Sequence, residues 1–281
     1  MIPCVAVDGP DAMGRRLLLV GCGKMGGALL AGWLDSEIAA RIDVVDPAPA
    51  VGPAAAQHPA VRVAAAPDGV PADADPEVVV LAVKPQAMES VLPAYRRFAG
   101  RAAFLSVAAG KSIGWLQGRL GAEAAVVRAI PNTPAAIGRG ISVLTASPQA
   151  SPAQRDLCDR LLAAVGRVEW VADERVMDAA TALSGSGPAY VFLLMETLAR
   201  AGAELGLPTD LAGRLARETV TGAAALAAAS GEPPEALRRN VTSPGGTTEA
   251  ALEVLMAEAG LQALFDRALA AAARRAGELG D

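Results

Sequence analysis

The feature that most constrains this chain is Gly21-Cys22-Gly23-Lys24-Met25-Gly26, which follows the apolar run Leu17–Val20 and leads into a helical stretch, Met25–Leu34. Strand, glycine turn and helix in immediate succession commit the chain to a βαβ unit with a parallel sheet. In such a turn the first glycine makes the bend, the second lets a pyrophosphate approach the backbone and the third lets helix pack on strand. A plain glycine-rich strand-to-helix turn is the bland alternative. Cys22, inside the loop, reads most simply as a small neutral filler.

Short apolar runs recur at Ile42–Val45, Val61–Val63, Val78–Val83, Ala103–Val107 and Ala125–Val127, separated by helical stretches. That alternation predicts an α/β domain of Rossmann type. Runs at Ile141–Leu144 and Val168–Val171, with a helix between them from about Pro152 to Val165, close it. After Asp173 the strand-like runs stop and Ala, Leu, Glu and Arg dominate, with breaks at 184–188, 206–208 and 231–234 and at Ser243–Thr248. The expected organisation is an extension without regular structure at 1–16, a dinucleotide-binding domain at 17–171 and an all-helical domain at 172–281. Met13 offers an alternative start within that extension. A chain of 281 residues accords with two domains.

The helix Ala189–Leu205 carries Tyr190, Val191, Phe192, Leu193, Leu194 and Met195 in succession and is apolar nearly all round. One small domain hardly covers such a helix, so the expectation is a homodimer built on the helical half. The formal net charge of −5, with 25 scattered Lys and Arg, presents no basic stripe for nucleic acid. No run of about 18 uncharged apolar residues suggests a membrane span and no leader opens the chain, so a cytoplasmic location is expected. Cys4, Cys22 and Cys158 form no Cys-x-x-Cys pair, and the single histidine, His58, stands before a proline in a polar stretch. Neither a metal site nor histidine acid–base chemistry is expected.

Candidate cofactor residues follow from position. Gly21, Cys22, Gly23, Lys24, Met25 and Gly26 form the fingerprint, and Asp46-Pro47 ends the second strand about 20 residues beyond it. Asp46 either accepts hydrogen bonds from an adenosine ribose, favouring NADH over NADPH, or merely shapes the turn before Pro47. Ala82, Val83, Lys84 and Pro85 lie at the carboxyl end of the fourth strand; Lys84 either reaches the cofactor or is solvated there. Ala108 and Ala109 close the next strand in small residues that suit a nicotinamide ribose. In Arg128–Pro134 two prolines flank Asn132 and Thr133, a rigid loop that either aims Asn132 at a site or only turns the chain. Glycines break a good helix in T181-A-L-S-G-S-G-P-A-Y190, by a bend, by helix packing or by the approach of a ligand.

Ser243-Pro244-Gly245-Gly246-Thr247-Thr248 interrupts the helical half in the same way. Thr247 is expected to cap a helix that starts at Thr248, leaving free N–H groups that suit a carboxylate or phosphate.

Together G-C-G-K-M-G, L-A-V-K-P-Q, S-V-A-A-G, R-A-I-P-N-T-P, A-L-S-G-S-G-P-A-Y and V-T-S-P-G-G-T-T-E-A-A-L resemble pyrroline-5-carboxylate reductase, in that family's order, from Leu17 to about Ala273. The resemblance implies reduction of Δ1-pyrroline-5-carboxylate to L-proline with NADPH or NADH, the last step of proline biosynthesis, on a homodimer that assembles into a ring of dimers. It implies that Gly245, Gly246, Thr247 and Thr248 hold the substrate carboxylate, that Ser243 lines the pocket and that Asn240 touches the cofactor. The position of the Ser243–Thr248 loop in the helical half also implies that the substrate is enclosed where the two domains meet, beside the dimer interface. The resemblance gives the position of Thr181 as a proton donor, and Thr181 or Thr248, alone or through water, is the candidate for stabilising the ring-nitrogen proton. Asp46 stands where NADPH-preferring members often carry Ser or Thr, and Gly69 where many carry a cofactor-binding Asn.

Two other readings compete. A β-hydroxyacid dehydrogenase needs a lysine or histidine on its helical half, and no lysine follows Lys111. A dinucleotide-binding redox sensor needs no second polar loop.

Overall fold

The structure, a computed structural model, describes residues 14–48 and 52–279. The expected extension lies outside the described residues as far as position 13, as does Cys4. The chain forms two compact units: one runs to Gly185 and includes the residues from Ala273 onward, and the other is Ser186–Ala272.

In the first unit β1 (Arg16–Val20), β2 (Arg41–Val45), β3 (Val61–Ala64), β4 (Val78–Leu81), β5 (Ala103–Ser106), β6 (Ala125–Ile130), β7 (Gly140–Ala146) and β8 (Gly166–Trp170) build one sheet. Its order is β3-β2-β1-β4-β5-β6-β7-β8. The helices here are α1 (Lys24–Asp35), α4 (Ile113–Leu120) and α5 (Pro152–Ala163), with the single turns α2 (Pro53–Ala56), α3 (Met88–Val91) and α6 (Met177–Ala180). The second unit holds α7 (Gly187–Glu204), α8 (Thr209–Ser230), α9 (Pro234–Asn240) and α10 (Thr247–Leu255), and α11 (Leu261–Glu278) is divided between the units at Ala273.

Every strand pairs in parallel except β6 with β7. Only residues 131–139 separate those two strands, too few for a crossover helix, so β7 returns antiparallel. The α5 crossover then brings β8 parallel to β7.

Alternate residues of each strand face opposite sides of the sheet, and both sides are covered. Leu17, Leu19, Ile42, Val44, Val78 and Val80 pack with Leu29, Leu30 and Trp33 of α1 and Leu157, Leu161 and Leu162 of α5. Trp33 donates its indole N–H to the Leu161 carbonyl at 2.8 Å, so this large buried ring leaves no polar atom unserved. Leu18, Val20, Val79, Leu81 and Phe104 pack on the other face with Met88, Leu92, Tyr95, Phe98, Leu116 and Leu120. Capping residues set where the crossover helices begin. Ser112 accepts from Trp115 N at the start of α4, and Ser151 with Gln154 makes a full capping box at α5.

The second unit is helical throughout. Gly202 of α7 comes close to Ala212 of α8, where an added Cβ would stand 3.4 Å from the alanine methyl. Ala212 and Ala216 are the buried residues of α8. No residue of α7 is buried within the chain. Among the described residues no helix is long and apolar enough to cross a membrane.

Candidate functional site

Strand order reverses direction between β1 and β4, and in open α/β sheets the crevice beyond the carboxyl ends of those strands receives the ligand. The glycine loop after β1 lies there. Gly21 has φ of +89°, and a Cβ on it would sit 2.8 Å from the Ala82 carbonyl carbon and oxygen and from Val83 Cγ1. On Gly26 a Cβ would strike the Gly21 carbonyl oxygen. Gly21 is therefore imposed by packing against the residues that follow β4, and Gly26 by the close approach of the Gly21 carbonyl within the loop itself. Gly23 differs, with open space where its Cβ would be. It is the N-cap of α1, makes no side-chain cap and has no acidic residue in the following turn. The first-turn amides of α1 thus face an uncrowded space suited to a pyrophosphate, and Gly21, Gly23 and Gly26 fit a dinucleotide.

Asp46 belongs to the same loop system. One carboxylate oxygen accepts Cys22 N at 2.6 Å and the other accepts Ala48 N at 2.8 Å. The turn-forming role before Pro47 is real, and the carboxylate also ties β2 to the glycine loop. Cys22 is fully buried, and burial followed by the neighbouring Asp46 charge pushes its thiol up to about 11, so it stays protonated. Gly69 ends a 3-10 turn, and a side chain there would meet Ala64 Cβ at 2.7 Å. Lys84 is exposed at the start of the turn Pro85–Ala87, with Ala82 and Val83 half-buried before it. Ala108 is buried, with its N–H near the Ser106 hydroxyl at 3.4 Å, and Ala109 is half-buried. His58 is exposed in its loop and accepts Ala60 N.

The T-A-L-S-G segment is a π-helical turn, Thr181–Gly185. Such turns disturb the i→i−4 ladder and recur at functional sites. The α-helical donor for the Ser184 carbonyl would be the N–H of residue 188, which is a proline and has none. Asn132 fills the gap: its Nδ2 donates to Ser184 O at 3.1 Å while its Oδ1 accepts Ile141 N at 3.0 Å. Asn132 is therefore the residue that holds the π turn to the sheet. Arg128, at the other end of the same motif, is buried, with Nη1 3.0 Å from Glu174 Oε1 and Nη2 3.5 Å from Asp178 Oδ1. Glu174 Oε1 also accepts Ile113 N at 2.8 Å. Thr181 donates its hydroxyl to Met177 O at 2.8 Å, so toward any ligand it offers only lone pairs.

In the second unit the Ser243–Thr248 loop corrects one expectation. Thr247 is the first helical residue of α10, and Gly246 is the N-cap, with extended backbone at φ −86° and ψ 169°. Gly246 carries the carbonyl that accepts Ala250 N, which moves the cap one residue back. Gly245 has φ of +68°, Gly246 N donates to Ser243 O at 3.0 Å, and Gly245 N donates to Glu249 Oε2 at 2.7 Å. A glycine cap brings no side-chain oxygen, and no side-chain cap hydrogen bond is made. The first-turn amides are left for another acceptor. Asn240, the last residue of α9, is exposed, with Nδ2 3.4 Å from Glu232 Oε2.

Sequence reasoning missed Arg128, Glu174 and Glu249 as organising residues. For Glu249 a signal existed: an acid three residues after a helix cap is half of a capping box.

Two family models match the chain. One, described as pyrroline-5-carboxylate reductase dimerisation, covers residues 174–279, and one, described as NADP oxidoreductase coenzyme F420-dependent, covers residues 16–110. A pyrroline-5-carboxylate reductase of Pseudomonas aeruginosa is 43% identical over 268 residues, spanning 95% of this chain and 97% of that protein. The chain belongs to the pyrroline-5-carboxylate reductase family. Solved structures agree. The pyrroline-5-carboxylate reductase of Coxiella burnetii superposes with a TM-score of 0.86 at 34% identity, over 95% of this chain and 99% of that one. The Plasmodium falciparum pyrroline carboxylate reductase, determined with NADP bound, gives 0.81 at 27% identity over 96% and 99%. Membership places the Rossmann-type sheet and the helical dimerisation region in one known architecture.

Proposed function

We propose that this chain reduces Δ1-pyrroline-5-carboxylate to L-proline with a hydride from NADPH or NADH, the last step of proline biosynthesis. The observation that carries the reading is similarity to pyrroline-5-carboxylate reductases along 95% of the chain, which spans both glycine turns at once. The missing lysine after Lys111 disfavours a β-hydroxyacid dehydrogenase.

Dinucleotide binding is assigned to 17–171 and substrate binding with dimerisation to 172–281. The amides at Gly23 and Lys24 would take the pyrophosphate, Asp46 the adenosine ribose, and Ala82–Pro85, Ala108 and Ala109 the remainder, with Asn240 contributing from the helical half. When bound, the nicotinamide supplies the hydride. The uncapped amides at Thr247 and Thr248 hold the substrate carboxylate, beside Ser243, Gly245 and Gly246, whose own N–H is turned back to Ser243 O, so that the ligand completes the cap of α10.

A cyclic imine is readily protonated in water, so the iminium binds ready to accept hydride at carbon and the enzyme need not deliver a proton to nitrogen. Thr181 is suited to accept the iminium N–H, since its own proton is committed to Met177 O. Thr248 is the second candidate for that contact. Positioning then carries most of the rate, in keeping with a site that uses no histidine.

The homodimer rests on the dimerisation region at 174–279, and its assembly into a ring of dimers extends the proposal. Buried free thiols at Cys22 and Cys158 support a reducing, cytoplasmic location.

The test is NAD(P)H oxidation on adding pyrroline-5-carboxylate, run with both cofactors and with a simple hydroxy acid as control. Turnover of the hydroxy acid but not the imine overturns the reading. Thr248→Ala should raise the KM for the imine about tenfold with cofactor binding unchanged, the size of one lost hydrogen bond to a charged group.

A further inference from the structure

The N-terminus of α10 carries half of a capping box. Gly246 stands at the cap and offers no side-chain acceptor, whereas Glu249, at the third helical position, is present and reaches back. In a full box that carboxylate would take the N–H of the cap residue itself. Here Gly246 N is already committed to Ser243 O at 3.0 Å, and Glu249 Oε2 instead takes Gly245 N at 2.7 Å. Gly245 is the residue in the left-handed region, with φ of +68°. The carboxylate therefore pins the one residue whose conformation sets the direction of the turn.

We propose that Glu249 is a positioning residue for substrate. By holding Gly245 in its left-handed turn, it keeps the amides of the first α10 turn aimed outward for the carboxylate of the imino acid. Glu249 supplies one half of the capping box, and the substrate supplies the half that Gly246 lacks. This inference rests on reading the Ser243–Thr248 loop as the substrate-carboxylate site. Glu249 does not touch the reacting atoms, so it acts on how substrate is held rather than on hydride transfer. The hydrogen bond needs an acceptor at that reach; the negative charge is not required and stands close to an incoming anion.

Steady-state kinetics of the full-length protein with pyrroline-5-carboxylate and with Δ1-pyrroline, the same ring without its carboxylate, separate the two layers. Wild type should show a KM for Δ1-pyrroline at least about tenfold higher, as expected when a charged hydrogen-bonded group is deleted. E249A should raise the KM for pyrroline-5-carboxylate about tenfold, leave kcat and NADPH affinity within about twofold, and shrink the discrimination between the two imines, the scale of a lost cap. E249D, too short to reach Gly245 N, should behave like E249A. E249Q, which keeps the acceptor, should recover to within about threefold of wild type. Because Glu249 is only half-buried, at least two of these variants are expected to fold as wild type, and the melting temperature checks this.

If wild type reduces both imines equally well, the carboxylate-site reading itself fails. If wild type discriminates and E249A and E249D discriminate as strongly, the Glu249 role alone is overturned. A lower KM in E249A also overturns it, since Glu249 would then compete with substrate for the loop.

Discussion

The two units handle apolar residues in opposite ways. In the sheet unit Trp33, Tyr95, Phe98 and Phe104 are at most 1% exposed, whereas in the helical unit Phe192 and Leu193 are 56% and Leu194 46% exposed. The sheet is covered on both faces by its own helices. A single α7, apolar nearly all round, cannot be covered by α8 alone. One unit thus completes its core within a chain, and the other is built to complete it against a second copy, in the segment that matches the family's dimerisation region.

Charging the exposed face tests the contrast most severely. Phe192→Asp should weaken the dimer by about a thousandfold or more, the range of a central aromatic hot spot, while NADPH binding by the sheet unit survives. Sedimentation velocity at micromolar concentration reads it, and an intact dimer would show that this face is not the contact between copies.

Breaking the sheet unit from inside should give a smaller effect that does not change oligomeric state. Arg128→Met removes the buried partner of Glu174 and Asp178, which are themselves partly exposed, and should cost about 2 kcal/mol in denaturant unfolding. The double variant with Glu174→Gln should recover part of that loss, because the remaining cost comes from an unpaired charge.

Asn132→Ala should cost about 2 kcal/mol, since it strands both the Ser184 carbonyl and the Ile141 N–H. Hydrogen exchange at the Ile141 amide is the direct readout. Protection equal to wild type would deny that Asn132 ties the π turn to the sheet.

The smallest effect is alkaline. Burial, with Asp159 nearby, raises the Cys158 thiol from its ordinary 9.0 to about 12. The unfolded chain therefore releases this proton first, and stability present below pH 9 is lost as pH rises toward 12. Cys22 acts in the same sense, up to about 11. Cys158→Ala should flatten the stability profile by about 1 kcal/mol at pH 10. An unchanged slope between pH 8 and 10 would show that the thiol is not held protonated by folding.

Much of this was legible in the chain, for identifiable reasons. Leu17–Val20 followed by Gly21 and Gly26 announces a βαβ unit because only glycine tolerates the Gly21 turn and the close approach at Gly26. The succession Val191–Leu194 announces an uncovered helix because no amphipathic stripe contains it. Asp46 was legible as a residue type but not as a contact, since its bond to Cys22 N joins positions 24 residues apart. The cap of α10 was misplaced by one residue because Thr is a better cap than Gly in isolation, and the backbone of Gly246 outweighed that preference.

The sequence alone determined the order of strands and helices, the places where only glycine fits and the family, because these depend on neighbours along the chain and on local stereochemistry. Only the tertiary structure decided that Asn132 serves the carbonyl that Pro188 leaves without a donor and that Arg128 is paired with Glu174, 46 residues away. It also decided that Glu249 spends its carboxylate on Gly245. The physical reason is common to all three. A hydrogen bond depends on distance and direction in space, and polar groups within reach of several partners reveal their choice only when packing has fixed the backbone around them.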